Sequence, residues 1–477
     1  MYSSLGKLCA IHARATIIPG SLARKDLGAA RALGMYLLYR ILTSIGMIFV
    51  APYFVVRGWR HGEPSTALRE RMGIVPREIA VKSSVTSRAD GAIWIHAVSV
   101  GEVLAAKPLL EALKHKFPGR AVFVSTTTET GQRLARMRLQ CADGIFYFPL
   151  DWVVPVRKAL KSIRPALVII METEIWPNFI HEAKREGTPI VFANARISER
   201  SFARFQRWKF LIGDFFARTL QDAAQFLAQT PEDASRLADM GAPEDRIEVT
   251  GNLKYDGVPP ETGPFVSWLE NQIATQERWP IIVAGSVVAE EEEAVLAAYD
   301  IVQRQWRHAL LVLAPRKPDR FTAAAEIVSA GGWDVVRRSE LDLNSTLSEN
   351  ADVLLLDSIG ELVGIYALAD AVFVGGSLVP AGGHNILEPA WFSRPPVFGA
   401  SMENFQEMVE QFLSARAGIQ VSGGTQLGKV WVQLIEDNAV RERMGRAAHE
   451  ISERNRGATA RTLERITAIL NISRQSS

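Results

Sequence analysis

The chain has 477 residues, too many for one ordinary core and enough for two or three domains. Hydrophobic residues make up 48% and charged residues 22%, which is the make-up of a folded protein and excludes disorder as its default state. A formal charge of +2 removes the electrostatic footprint of a bulk nucleic-acid binder, and the two cysteines, Cys9 and Cys141, exclude a disulfide framework.

Basic residues gather near the N-terminus, where Arg14, Arg24, Lys25, Arg31, Arg57, Arg60, Arg69 and Arg71 outnumber the acids around them. Between them, residues 32–56 form an apolar run long enough to cross a bilayer, interrupted by Arg40 and by Pro52 near its end. Arg40 is expected to snorkel to the interface, and the run reads as a membrane anchor; an apolar helix lying on the surface or packed on a soluble domain fits the same residues. After a polar stretch, 61–90, strands and helices alternate in the rhythm of a parallel sheet. Strands are expected at 93–100, 121–126, 167–171, 189–193 and 246–250, with a helix at 102–116. Residues 252–264, bearing Pro and Gly, interrupt the pattern and are the candidate hinge. Alternation resumes with strands at 281–284, 310–314, 353–356, 371–374 and 396–398, and 439–470 has the charged amphipathic pattern of one long helix. The fold class is therefore α/β: two Rossmann-like doubly wound domains facing each other across a cleft, preceded by an N-terminal membrane-anchor helix. The expected divisions are 1–60, an extension with the anchor, 61–256 and 257–477.

Ligands of such folds sit at the carboxyl ends of the strands, which selects the loops to inspect. Ser99–Glu102 (SVGE) turns sharply out of the first strand and places Glu102 in the first turn of a helix, whose dipole predicts an ionised carboxylate serving as a base near neutral pH. A plain helix-start carboxylate is the alternative. Met171–Asn178 (METEIWPN) sets Glu172 and Glu174 just beyond an apolar strand, with Trp176 and Pro177 fixing the next helix start. Gly251–Asp256 (GNLKYD) offers Lys254 to neutralise charge on a departing phosphate, or as a solvated linker lysine. Ala314–Phe321 (APRKPDRF) brings Arg316, whose fork suits phosphate or carboxylate. In DSIGEL, Asp357–Leu362, Ser358 to Glu361 has capping-box spacing. Gly375–Pro389 (GGSLVPAGGHNILEP) ends a strand in glycines and opens a helix; its free amides suit a nucleotide phosphate, and Glu388 suits two vicinal sugar hydroxyls. The same glycines also fit a plain tight turn. No His-x-x-x-His or Asp-x-Asp pair suggests a metal, so metal-independent chemistry is expected. No G-x-G-x-x-G follows the first strand, and neither a Walker lysine motif nor a G-x-S-x-G elbow occurs.

Taken together, HAVSVGE, METEIWPN, NARISERS, GNLKYD, APRKPDRF and GGHNILEP give a chain that resembles the 3-deoxy-D-manno-octulosonic acid (Kdo) transferases of lipopolysaccharide assembly, inner-membrane glycosyltransferases of GT-B architecture. The resemblance implies CMP-Kdo as donor substrate, no cofactor, a lipid A precursor as acceptor, and catalytic domains on the cytoplasmic side of the inner membrane. It also implies Glu102 as the general base, Glu172 and Lys254 as transition-state helpers, and CMP contacts at Pro315, Arg316, Ile359, Gly360, Glu361, Asn385, Ile386, Leu387 and Glu388. One departure stands out. Where the family carries Thr-His after Gly-Ser, this chain has Val287 and Val288 followed by Glu290–Glu293, which removes polar side chains expected to touch the donor. The competing readings are a GT-B enzyme using a UDP-sugar and an inactive membrane-tethered nucleotide-binding scaffold.

Overall fold

The computed structural model describes residues 34–46, 65–84, 91–257, 259 and 261–475. The chain divides into two compact units: one runs to Gly251 and takes in the chain again from Thr459, and the other comprises Asn252–Ala458.

The first unit holds a seven-stranded parallel sheet built from β1 (Ile93–His96), β2 (Val122–Thr126), β3 (Gly144–Tyr147), β4 (Leu167–Met171), β5 (Ile190–Ala195), β6 (Gln225–Ala228) and β7 (Ile247–Val249), in the order β3-β2-β1-β4-β5-β6-β7. Helices cover both faces of a parallel sheet, so its central strands are buried on both sides and read as unbroken apolar runs. IWIH of β1 and LVIIM of β4 are buried at every position. Trp94 centres one face, packed on Phe146 and Phe179, and its indole N–H donates to Ser125 Oγ at 2.7 Å.

The second unit repeats the plan with β8 (Ile281–Val287), β9 (Leu310–Pro315), β10 (Val335–Arg337), β11 (Val353–Leu355), β12 (Ala371–Val374), β13 (Val397–Phe398) and β14 (Ile419–Gln420), all parallel, in the order β10-β11-β9-β8-β12-β13-β14. In each sheet the strand order reverses direction beside the first strand, between β1 and β4 and between β8 and β12. Ligands of doubly wound sheets bind at the carboxyl ends of such a switch point.

Two expectations need correction. The single helix foreseen over 439–470 is two helices, Asn438–Arg454 and Ala458–Gln475. Gly457 breaks them at φ +91°, a left-handed conformation that glycine adopts without a Cβ clash, and its N–H donates to Asp256 Oδ1 at 2.6 Å. The chain thereby rejoins the first unit, where Arg461 Nε donates to the Thr250 carbonyl at 2.8 Å.

The expected anchor, 32–56, lies partly outside the described residues; within it 34–46 is helical. Among the described residues no helix is long and apolar enough to cross a membrane. Arg40 does not snorkel. Its guanidinium bonds the buried Glu182 carboxylate, which Arg157 also holds at 2.7 and 3.1 Å. Burial pushes the Glu182 carboxyl up, but Arg157, Arg40 and Arg185 outweigh it and hold the group below its ordinary value.

Candidate active site

At the switch point of the first sheet, β1 ends and Ser99 caps the helix Val100–Lys116. Ser99 and Glu102 form a capping box: Glu102 N–H donates to Ser99 Oγ at 3.3 Å, and the carboxylate reaches back to the preceding turn. Its Oε1 accepts from Ser99 Oγ at 2.7 Å and from Ser99 N–H at 3.2 Å, while Oε2 accepts from Val98 N–H at 2.8 Å. The residue is only 5% exposed.

β4 lies beside β1, so Glu172 and Glu174, which follow β4, come up next to Glu102. Burial first, and then the charge of Glu172, push the Glu102 carboxyl up to about 7 against the opposing pull of the Ser99 and Val98 donors. That corrects the dipole argument. One helix start favours the anion by about 1 kcal/mol, less than burial and a neighbouring carboxylate cost it. Glu174 is also raised, first by burial and then by Glu172. Glu172 itself sits at φ +54°, an uncommon conformation for a residue with a side chain. Thr173 ties this turn to the loop after β5, donating to the Arg196 carbonyl at 2.5 Å and accepting from Arg196 N–H at 3.0 Å. Pro177 opens the helix Pro177–Arg185, as expected of it.

His96 was missed by the sequence reading, because a lone histidine inside an apolar strand carries no spacing signal. It is fully buried, stacked at 3.8 Å on Phe148, with Nδ1 at 3.0 Å from Ser125 Oγ. Burial pushes its pKa down to about 3, so the ring is neutral.

In the second unit the loops expected to hold the nucleotide all leave the carboxyl edge of β11, β9, β8 and β12, which are neighbours in the sheet. The glycine loop after β12 differs from expectation. Gly376, Ser377 and Leu378 N–H groups do not stand open for a phosphate: they donate to Glu291 at 2.7, 2.8 and 2.8 Å, and Val288 N–H donates to the same carboxylate at 3.0 Å. Glu291 is fully buried, an internal anion in the amide nest. The acidic run that follows Val287 and Val288 therefore supplies a structural carboxylate.

Around that filled nest, His384 lies over Gly376, where a Cβ would come within 2.8 Å of His384 Nε2, so only glycine fits. Burial pushes His384 down to about 4, with the nearby Arg316 guanidinium adding to it, and its Nε2 has no hydrogen-bond partner among the described residues. Arg316 is exposed and follows Pro315 at the end of β9, its N–H bonded to Val287. Asn385 Oδ1 accepts from Leu387 N–H at 3.2 Å; Ile386 and Leu387 are buried, which leaves only their backbone for a ligand. Glu388 stands in the first turn of the short helix Leu387–Ala390, close enough for its charge to act on Tyr366.

After β11, Ile359 is 70% exposed and Gly360 turns the chain at φ +101°. The capping box expected from Ser358 to Glu361 does not form. Glu361 is itself the N-cap of Leu362–Ile365 with no side-chain cap bond; its carboxylate takes the Ser358 hydroxyl and the fork of Arg338, at 3.0 and 3.1 Å. Arg338 in turn lies 4.0 Å from the centre of the Phe265 ring.

The structure thus groups Glu102 with Glu172 in one unit, and Pro315, Arg316, Ile359–Glu361 and Asn385–Glu388 along one sheet edge of the other. Lys254 belongs to the second unit, on the 3-10 turn Leu253–Asp256, with its ammonium 5.8 Å from the centre of the Phe405 ring.

Two parallel doubly wound units, one with clustered acids and one with a glycine-rich loop at its switch point, define a two-domain α/β protein of the GT-B type. A putative UDP-N-acetylglucosamine 2-epimerase from Listeria monocytogenes shares this fold at TM-score 0.51 and 13% identity, over 80% of this chain and 97% of that one. The 3-Deoxy-D-manno-octulosonic-acid transferase (kdotransferase) family profile matches residues 66–257. The 3-deoxy-D-manno-octulosonic acid transferase of Haemophilus influenzae is 35% identical over 376 residues, 78% of this chain and 86% of that protein. The transferase of the same name from Bordetella pertussis is 32% identical over 390 residues, again 78% and 86%. The chain belongs to the 3-deoxy-D-manno-octulosonic acid transferase family.

Proposed function

We propose that this chain is an inverting, metal-independent glycosyltransferase that moves Kdo from CMP-Kdo to a lipid A precursor of the lipid IVA type, releasing CMP, at the cytoplasmic face of the inner membrane. Family membership supports Kdo transfer, and one observation carries the mechanism: a buried carboxylate, Glu102, raised to about 7 beside Glu172 at a switch point. A base poised near the working pH is half available and strong enough to accept a proton when the hydroxyl attacks.

In this reading Glu102 takes the proton of an acceptor sugar hydroxyl as that oxygen bonds to the anomeric carbon of Kdo. The bond from that carbon to the CMP phosphate oxygen breaks on the opposite face, which inverts the centre. Glu172 sustains the basicity of Glu102. Lys254 and Arg316 balance the negative charge left on CMP, a service that preorganised cations perform best away from bulk water. Pro315, Ile359, Gly360, Glu361, Asn385, Ile386, Leu387 and Glu388 form the CMP side of the site.

Mass spectrometry of a lipid A precursor incubated with the protein and CMP-Kdo tests this directly. The expected product carries one or more Kdo mass increments together with stoichiometric CMP. Transfer from a UDP-sugar in place of CMP-Kdo, or nucleotide binding without any transfer, overturns it.

A further inference from the structure

The turn that carries Lys254 is clamped at three points. Lys254 N–H donates to Asn252 Oδ1 at 3.0 Å, the buried Tyr255 donates its hydroxyl to Gln411 Oε1 at 2.9 Å, and Asp256 Oδ1 accepts the Gly457 N–H at 2.6 Å. The backbone is therefore fixed, but a lysine ends a long flexible stem, and a fixed backbone alone lets its ammonium sweep a wide arc. The ammonium lies over a ring. Phe405, half-buried against the core of the second unit, has its centre 5.8 Å from Lys254 Nζ, inside the reach of a cation–π attraction.

Phe405 is placed there by the glycine loop of the nucleotide side. It ends the 3-10 turn Glu403–Phe405, in the segment that follows β13, and that segment is bonded along its length to the loop after the neighbouring β12. Gly399 N–H donates to Ser377 Oγ at 2.8 Å and Ser401 N–H to the Ser377 carbonyl at 2.9 Å. Gly382 N–H donates to Ser401 Oγ at 3.0 Å, and Asn404 N–H returns to the Gly382 carbonyl at 3.1 Å. Gly382 at φ +83° and Gly383 at φ +74° run so close over Asn404 and Met402 that a Cβ on either would collide with those side chains. The ring under Lys254 is thereby keyed to the stretch that runs on into Asn385–Glu388. The helix Gln406–Ser414 begins directly after the ring and supplies Gln411, so the seat of the ammonium and the latch on Tyr255 stand on one continuous segment.

We infer that Phe405 is a positioning residue for Lys254: its ring, carried on the segment keyed to the glycine loop, seats the ammonium where it meets the phosphate of the bound nucleotide. The inference deepens the role proposed for Lys254 above and rests on that reading. A carboxylate in the same place would also hold the lysine but would neutralise it. A ring face attracts a cation through its quadrupole and leaves the whole charge available to an anionic ligand.

Calorimetric titration of the full chain with CMP and with cytidine tests the seat, since the two ligands differ only by the phosphate. Phe405→Leu is expected to weaken CMP about fivefold and to leave cytidine unchanged. Phe405→Tyr keeps the ring face and should bind both ligands as the native chain does. Lys254→Met should weaken CMP at least as much, and adding Phe405→Leu to it should cost nothing further, because a seat has no role without its cation. Pentafluorophenylalanine at position 405 keeps the shape of the ring and reverses the charge of its face, so it should reproduce the loss seen with Leu even where Leu itself disturbs the fold. Equal losses for CMP and cytidine, additive losses in the double variant, or native CMP affinity with the pentafluoro ring overturn the inference. Kdo transfer separates the two readings. If Phe405→Leu weakens CMP selectively while the native chain transfers no Kdo from CMP-Kdo, the proposed function fails and the seat stands; if the native chain transfers Kdo and the pentafluoro variant binds CMP as it does, the reverse holds.

Discussion

The two sheets place carboxylates at the same topological position and treat them in opposite ways. Beside β1 and β4, Glu102, Glu172 and Glu174 crowd one another, and two of the three are raised by burial and mutual repulsion. Beside β8 and β12, Glu291 is more deeply buried than any of them, yet it is met by four backbone N–H donors. A buried charge with every lone pair satisfied organises backbone; one left in the company of like charges stores free energy that proton transfer releases. The same residue type, at the same place in the same fold, is scaffolding in one unit and chemistry in the other.

The largest effect that sharpens this contrast is on Glu102. Glu102→Gln is expected to lower kcat about 10²–10⁴-fold, the usual contribution of a positioned base, with CMP affinity unchanged. Stability should move the other way. Because the folded pKa is raised, the unfolded chain gives up its proton first as pH climbs from the ordinary 4.5 toward about 7, and the native fold loses up to about 3 kcal/mol that the Gln variant keeps. Melting curves at pH 4.5 and 8 check the sign. A variant that transfers Kdo at the native rate removes the chemical half of the comparison.

Glu291→Ala comes next and has the opposite profile. It orphans four buried N–H groups, so about 3 kcal/mol or more of unfolding free energy should vanish. Glu291→Gln should fare little better, since its amide N–H₂ meets donors on all sides. Denaturant unfolding measures this, and an unchanged midpoint would falsify the scaffolding role. Smaller again is Glu172→Gln. Removing the neighbouring charge lowers the Glu102 pKa, so the acid limb of the kcat/KM profile should move to lower pH. Glu174→Gln should move it less, because Glu174 acts on Glu102 more weakly than Glu172 does.

The parts of this arrangement visible in the sequence are those that depend on local pattern. LVIIM and AVFV match β4 and β12 residue for residue, because a strand buried on both faces has no polar position to blur it. GIFY, VVR and IQ give no such signal; β3, β10 and β14 are short strands at sheet edges, and half-exposed edges lose that continuity. QFLA of β6 begins with Gln225 and is only four residues long, too brief to signal a period. Glu102 and Glu172 were found by their place after strands, whereas the raised pKa of Glu102 depends on burial and on a residue 70 positions away, which no window contains. Glu291 is one of four consecutive glutamates, and only the partner loop 85 residues on singles it out. Arg40 and Glu182 are 142 residues apart, so the apolar run around Arg40 read as a crossing helix until its partner was in place.

The finest test of the contrast is Glu361, which the second unit also pairs, in the Arg338 fork at its half-exposed loop. If paired acids there only hold the loop, Arg338→Gln and Glu361→Gln release Ile359 and Gly360 equally, and the double variant costs no more than either single one. A partly exposed pair of this kind is worth about 1 kcal/mol, so the KM for CMP-Kdo should rise by about fivefold with kcat at saturating donor unchanged. Additive losses, or a fall in kcat from Glu361→Gln alone, would mean that Glu361 meets the donor in its own right, and the division between a scaffolding unit and a chemical one would then hold for Glu291 but not for its whole sheet edge.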